Sequence, residues 1–164
     1  MPFQPVNIRD TKHPVKLIAD DWALLSAGTP EHWNTMTISW GGVGEIWGRD
    51  AAFVFVRPQR YTYQFMQQQD YFTVAFGLPK ETLKLCGKLS GRDGDKIAQA
   101  GLTAQMEGEA VFPAQAELVY ICRKLHAQDL DPAGFIDPHI AGHYDGDYHR
   151  MFIGEIVQCL RKTT

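Results

Sequence analysis

NTMTISWGGVGEIWGRDAAFVFVRPQRYTY, Asn34 to Tyr63, is the stretch on which the reading of this chain turns. Residues 35–39 (TMTIS) alternate with the period of a strand. Thr35, Thr37 and Ser39 share one face and Met36 and Ile38 the other. A row of hydroxyls suits either a solvated edge or a surface that hydrogen-bonds a ligand. Ala51 to Val56 is a continuous apolar run, which predicts a central strand buried on both faces. Between them Gly41, Gly42, Gly44 and Gly48 predict a flexible crossing. Arg57-Pro58 ends the apolar strand, and 59–69 reads as a helix with Tyr61 and Phe65 one turn apart.

Two nucleotide motifs are excluded here. Counted from Gly42, the third glycine of a dinucleotide fingerprint falls at 47, which is Trp, and no strand–helix alternation surrounds it. Gly87-Lys88 is followed by Leu89 and lacks the upstream glycine of a P-loop.

Outward from this stretch, residues 1–13 read as an extended polar arm. Val15–Ala19 and Trp22–Ala27 read as strands around Asp20-Asp21, and Tyr71–Phe76 as a further strand. Lys80–Leu89 and Asp95–Gln99 read as helices joined by the loop Ser90-Gly91-Arg92-Asp93-Gly94. Residues 102–128 hold two or three β runs, clearest at Glu117–Cys122. Segment 129–149, rich in Asp, His, Pro and Gly, reads as an extended loop or lid, and Met151–Leu160 as the last strand. Many short strands with inserted helices predict a mainly β, barrel-with-helices domain over 1–164, not a layered βαβ sheet.

Composition narrows the function classes. The chain has 164 residues, 45% hydrophobic and 21% charged, as in ordinary globular domains. A net charge of −3 offers no basic face for nucleic acid, so any anionic ligand needs locally placed cations. Cys86, Cys122 and Cys159 form no C-x-x-C pair, which argues for a reducing cytoplasm and against a disulfide scaffold. No apolar run approaches the ~20 residues of a membrane helix, and the first residues lack the apolar core of a signal peptide.

The candidate chemistry sits in three clusters. Arg57, Arg60, Tyr61 and Thr62, at a strand end turning into a helix, fit a phosphate cradle and equally fit two surface arginines. Lys88, Ser90, Arg92 and Lys96 suit phosphate or a polar ring edge, although loops of this kind are commonly just solvated. His139, His143, Asp145, Asp147 and His149 match no metal-ligand spacing, so no metal is expected. His149, just before the last strand, is the one that reads as ligand-facing. Cys86, spaced with Leu83 and Leu89, reads as a packed helical cysteine. Trp40 and Trp47 flank the glycine turn, where they can cover a flat ring.

NTMTISW (34–40), RPQRYTY (57–63), CGKLSGRDGDK (86–96) and HRMFIGEIV (149–157) occur in this order. The series resembles the flavin reductase-like family, and within it the flavoredoxin-type proteins. The resemblance implies an FMN-binding split β-barrel, a homodimer with FMN held near the subunit interface. Asn34, Thr35, Met36, Thr37, Ser39 and Trp40 then serve the isoalloxazine ring. Arg57, Arg60, Tyr61 and Thr62 serve the ribityl chain and phosphate, helped by Lys88 and Ser90, with Arg92, Lys96 and His149 as further cofactor contacts. It also implies hydride transfer from NADH or NADPH to flavin N5 and electrons passed to an acceptor, with no side-chain catalytic base. A flavoredoxin-like carrier that keeps its FMN and is reduced by a partner protein, and a non-catalytic flavin-binding domain, are the alternatives.

Overall fold

The computed structural model describes residues 3–163. The arm begins as β1 (Phe3–Pro5) and a 3₁₀ turn at Ile8–Asp10. Val15–Ala19, expected as a strand, is helical instead: α1 (Pro14–Lys16) continues as a π-helical turn at Leu17–Asp21. The reason is local. Pro14 occupies the first helical position, where its missing N–H costs nothing, and the His13 side chain accepts from Val15 N. The segment stops at Trp22, which has φ of 65°, and Lys80 Nζ lies 4.1 Å from that indole ring.

Three strands follow, β2 (Ala23–Gly28), β3 (Trp33–Ile38) and β4 (Gly41–Ile46). The glycine run is therefore a strand and not a flexible crossing, because Gly41–Ile46 pairs with β5 (Arg49–Val56) throughout. The turn itself is confined to Trp47-Gly48, both at positive φ. Then come α2 (Thr62–Gln68), β6 (Tyr71–Phe76), α3 (Lys80–Lys88) and α4 (Lys96–Gln99). A small hairpin, β7 (Ala104–Glu107) with β8 (Ala110–Pro113), precedes the long strands β9 (Leu118–Asp129) and β10 (Arg150–Lys162).

The main sheet runs β3-β2-β6-β9-β10-β5-β4, antiparallel throughout, with β1 added on β10. Alternation sorts β2, β6 and β9 into two cores. Leu25, Phe72, Val74, Tyr120 and Cys122 face inward with Met36, Val54, Val56 and Phe152. Leu24, Ala75, Val119 and Ile121 face out, under Phe112 of β8 and Leu83 of α3. These are the strands buried on both sides. β5, expected to be buried on both faces, has that environment only at its Ala51-Ala52 start: beyond it Val54 and Val56 are buried, while Phe53 and Phe55 are half-exposed. Residues from both edge strands, Met36 and Ile38 of β3 and Val43 of β4, pack against the same inner core, so the sheet curls into a split barrel. Among the described residues no helix is long and apolar enough to cross a membrane.

Candidate functional site: a two-part cavity at the edge of the barrel

β3 ends the sheet, so one of its backbone edges is unpaired by any strand. At that edge lies a cavity of about 200 Å³. Its walls are residues 36–40 on one side, Phe55 and Arg57 at the end of β5 on another, and Arg60 and His149. A neighbouring cavity of about 70 Å³ is lined by Arg60, Tyr61, Thr62, Lys88, Ser90 and Lys96, together with Gln59 and Leu89. Arg60 borders both, so the two form one elongated site.

Cations without carboxylates define the smaller part. Arg60 reaches the C-terminal end of α3, donating to Gly87 O at 3.1 Å and Cys86 O at 3.5 Å. Lys96 Nζ donates to the same Cys86 carbonyl at 3.4 Å. Those last-turn carbonyls carry the negative end of the helix dipole, which suffices to hold two cations but not to neutralise them. Lys96 is only 3% exposed. Burial pulls its pKa down to about 8, against an upward pull from Cys86, with a lesser lowering from the charge of Arg60. Burial also lowers the pKa of Arg60. Among the described residues neither cation has a carboxylate partner. Such a pair is costly unless an anion joins it.

Several expected residues frame this pocket instead of lining it. The Asn34 amide donates to Thr62 Oγ1 at 2.8 Å, tying β3 to the start of α2 in the buried interior. Thr35 accepts from Ser26 Oγ and donates to Leu25 O. Thr37 lines the larger cavity, but its hydroxyl donates to Leu83 O. The hydroxyl face of β3 is thus mostly consumed by the protein. What β3 offers is its backbone edge, with Ser39 and Trp40 at the mouth. Arg92 is exposed, donates to Gln59 O at 2.7 Å and lies over the Tyr61 ring at 5.2 Å, so it fastens the 90-loop.

Arg57 lines only the larger cavity, on the β5 face of Phe55, whereas Arg60, beyond the turn at Pro58–Gln59, borders both. Arg57 Nη1 is 2.6 Å from Asp147 Oδ2 and Nη2 donates to His143 O at 2.9 Å. Bonds from the Asp145 N–H, Arg57 and Gln59 hold the Asp147 carboxyl far below its usual range. His149 is 8% exposed, sits 2.7 Å from the Tyr144 hydroxyl and packs beside Trp40 and Phe55. Burial first, then Arg57, pushes its pKa down to about 4 against the opposing pull of Asp147, leaving it neutral at pH 7.

Phe55, Ile38 and Leu89 line the site without having been marked by any polar signal in the sequence. Phe55 was legible in principle, because positions 53 and 55 alternate with the core positions of β5. Asp147 was considered only as a metal ligand. It is instead the partner of Arg57 and Gln59.

A curled antiparallel sheet with a free backbone edge and a partly buried cation pair at one end places the chain among the split barrels. The profile of the flavin reductase like domain matches residues 16–164, and the chain belongs to that family. No curated protein matches it. The fold is shared with an FMN-binding domain of a flavin reductases-like enzyme from Shewanella baltica OS155, at 19% identity and a TM-score of 0.67, covering 98% of this chain and 77% of that one. Flavoredoxin from Methanosarcina acetivorans matches at 20% identity and a TM-score of 0.67, over 87% of this chain and 68% of its own. A split barrel domain protein from Shewanella frigidimarina NCIMB 400 matches at 15% identity and a TM-score of 0.67, over 97% and 76%.

Proposed function

We propose that this chain binds FMN across the two-part cavity and works as an oxidoreductase of the flavin reductase type, taking electrons from NADH or NADPH. The observation that carries the reading is the pair of cations on the Cys86 carbonyl, Arg60 and Lys96, which has no carboxylate partner among the described residues and adjoins a larger slot under a strand edge. The donor set fits the group: buried Lys96 and half-buried Arg60, with Ser90, Thr62 and Lys88, suit a phosphate. The edge of β3 beside Trp40 and Phe55 suits a flat ring with a polar rim.

Bound there, the flavin supplies hydride and single-electron chemistry. The chain supplies placement. Arg60 and Lys96 hold the anionic end, the unpaired edge of β3 offers N–H and C=O groups to the ring, and Trp40, Phe55 and His149 exclude water. Neutral His149 puts no extra charge beside the ring. A flavoredoxin-like carrier is the second reading, favoured by the exposed Trp40 (48%) at the mouth, which suits contact with a protein donor. The resemblance also carries a homodimer, and the exposed Trp47 is compatible with one. A single 18.5 kDa species in sedimentation would remove it. Three buried free thiols fit a reducing cytoplasm.

The test compares FMN with riboflavin by fluorescence titration of wild type and Arg60→Ala. Loss of one charge-assisted contact, ~1.5–3 kcal/mol, weakens FMN by at least about tenfold and leaves riboflavin nearly unchanged. Equal losses for both ligands refute the phosphate assignment. Negligible oxidation of NADH and NADPH with added FMN and oxygen would sink the reductase reading and leave the carrier.

A further inference from the structure

We infer that residues 130–149 form a lid over the larger cavity and that Asp147 is its latch, a positioning residue that governs how fast a ligand enters and leaves. The cavity's ligand is named from the flavin reading above; the lid itself stands on the ligand-free geometry.

The excursion is pinned at its base. Leu130 N donates to His149 O at 2.9 Å, and Arg150 is ion-paired with Asp129 at 2.9 Å, so the chain leaves and rejoins the sheet at one place. Beyond the base it has its own small nucleus. Phe135 stacks on Tyr144 at 6.0 Å, and Tyr148 packs against both. No residue from 130 to 149 belongs to either apolar core of the barrel. The segment is therefore a body with an internal reason to stay together and little hydrophobic reason to stay down, which is the profile of a unit that opens locally.

What holds it down is concentrated in a few contacts with the cavity wall. Asp147 Oδ2 accepts from Arg57 Nη1 and from Gln59 Nε2, both at 2.6 Å, while its Oδ1 accepts from Asp145 N at 2.8 Å. The Arg57 guanidinium adds a bond to His143 O and lies over the Tyr144 ring at 5.0 Å. Trp40 meets the rings of His143 and His149 at 5.3 and 5.5 Å. Arg57 and Trp40 are themselves walls of the cavity, and His149, at the base of the lid, is the lid's own part of its lining. One carboxylate thus links the lid to the end of β5 and the turn after it. Remove its charge and the wall remains, but the strongest tie to the lid is gone. The Arg57–Asp147 pair is only partly exposed, at 28% and 23%, so it is a firmer tie than a fully solvated pair and still one that can break.

The consequence is kinetic. A latch that is closed both before and after a ligand is seated slows entry and exit alike and leaves the equilibrium nearly untouched.

Asp147→Asn keeps the side-chain volume and removes the charge. In the ligand-free protein, amide hydrogen exchange across 139–149 should quicken by at least about 5-fold, with 51–56 unchanged. Unaltered protection of 139–149 overturns the latch. In stopped-flow fluorescence, association and dissociation of riboflavin should rise by similar factors, with Kd within about 2-fold of wild type, and Asp147→Glu should restore both rates. A Kd shifted by more than that, with association unaltered, overturns the gating role and makes Asp147 a ligand contact. If Asp147→Asn does not fold, Gln59→Leu removes one of the two bonds to Oδ2 and should raise the same exchange rates by at least about 2-fold; no rise overturns the latch. Should wild type bind neither FMN nor riboflavin, the flavin reading fails, and the exchange measurement still decides the lid.

Discussion

Lys96 is a lysine whose surroundings work against its charge, since burial outweighs the upward pull of Cys86, Arg60 adds to the lowering, and among the described residues only Cys86 O accepts from it. Its pKa in the folded protein, about 8, lies below the unfolded value near 10.4, so its burial costs most at pH 8 and below. The stability of the ligand-free protein should accordingly rise as pH climbs from 8 towards 10. Lys96→Met should stabilise the ligand-free protein by about 1–3 kcal/mol in a denaturant melt at pH 7 while lowering FMN affinity at least about tenfold. A destabilised variant, or one with unchanged FMN binding, contradicts this account. His149 has the same sign of shift. Its folded pKa of about 4 lies below the ordinary 6.5, so its contribution is present above pH 6.5 and is lost as pH falls towards 4, by roughly 2–3 kcal/mol. His149→Gln should lose less stability than wild type between pH 7 and 4; parallel curves would show that the imidazole makes no such contribution. Neither environment was legible from neighbours in sequence. Lys96 reads as a candidate phosphate contact beside a loop of a kind commonly just solvated, and only the docking of α4 against the end of α3 buries it.

At the scale of elements, the 90-loop closes the phosphate end because Gly91 lies flat against Tyr61 and Asn34. A Cβ built there would sit 2.4 Å from Tyr61 Cδ1 and 2.7 Å from Asn34 Oδ1, so the whole loop must lift to admit one. Gly91→Ala should cost about 1–3 kcal/mol of overpacking and weaken FMN more than riboflavin, with the far-ultraviolet circular dichroism unchanged. Retention of full FMN affinity would show that the loop does not close the site. β3 illustrates what alternation can and cannot reveal. Its strand character and its hydroxyl face were readable at 35–39, whereas the commitment of Thr35 to Ser26 and of Thr37 to Leu83 depends on partners elsewhere in the fold. Val15–Ala19 misled for a related reason. Its apolar residues suit a strand, but Pro14 and the His13 cap start a helix.

Over the whole molecule, β9 and β10 hold the sheet together, pairing along Arg150–Arg161 and bulging twice. At the first bulge Gly154 lets β10 pass over Phe72, whose ring atoms would stand 2.6 Å from an added Cβ, with Cys122 Cβ at 2.9 Å. Gly154→Ala should lower stability by about 1–3 kcal/mol, or roughly 2–4 °C in the melting midpoint per kcal/mol. An unchanged midpoint would mean that the core yields more readily than its packing suggests. Local chemistry was enough to determine that the chain is mainly β with inserted helices, that a strand edge and an arginine-rich turn lie close in sequence, and that four ordered motifs resemble one family. Alternation, proline and glycine act over a few residues and are written in the sequence. The order of the sheet, the reach of Arg60 to the end of α3, the pairing of Arg57 with Asp147 and the burial of Lys96 were decided by the tertiary structure, because each depends on surfaces brought together from distant parts of the chain.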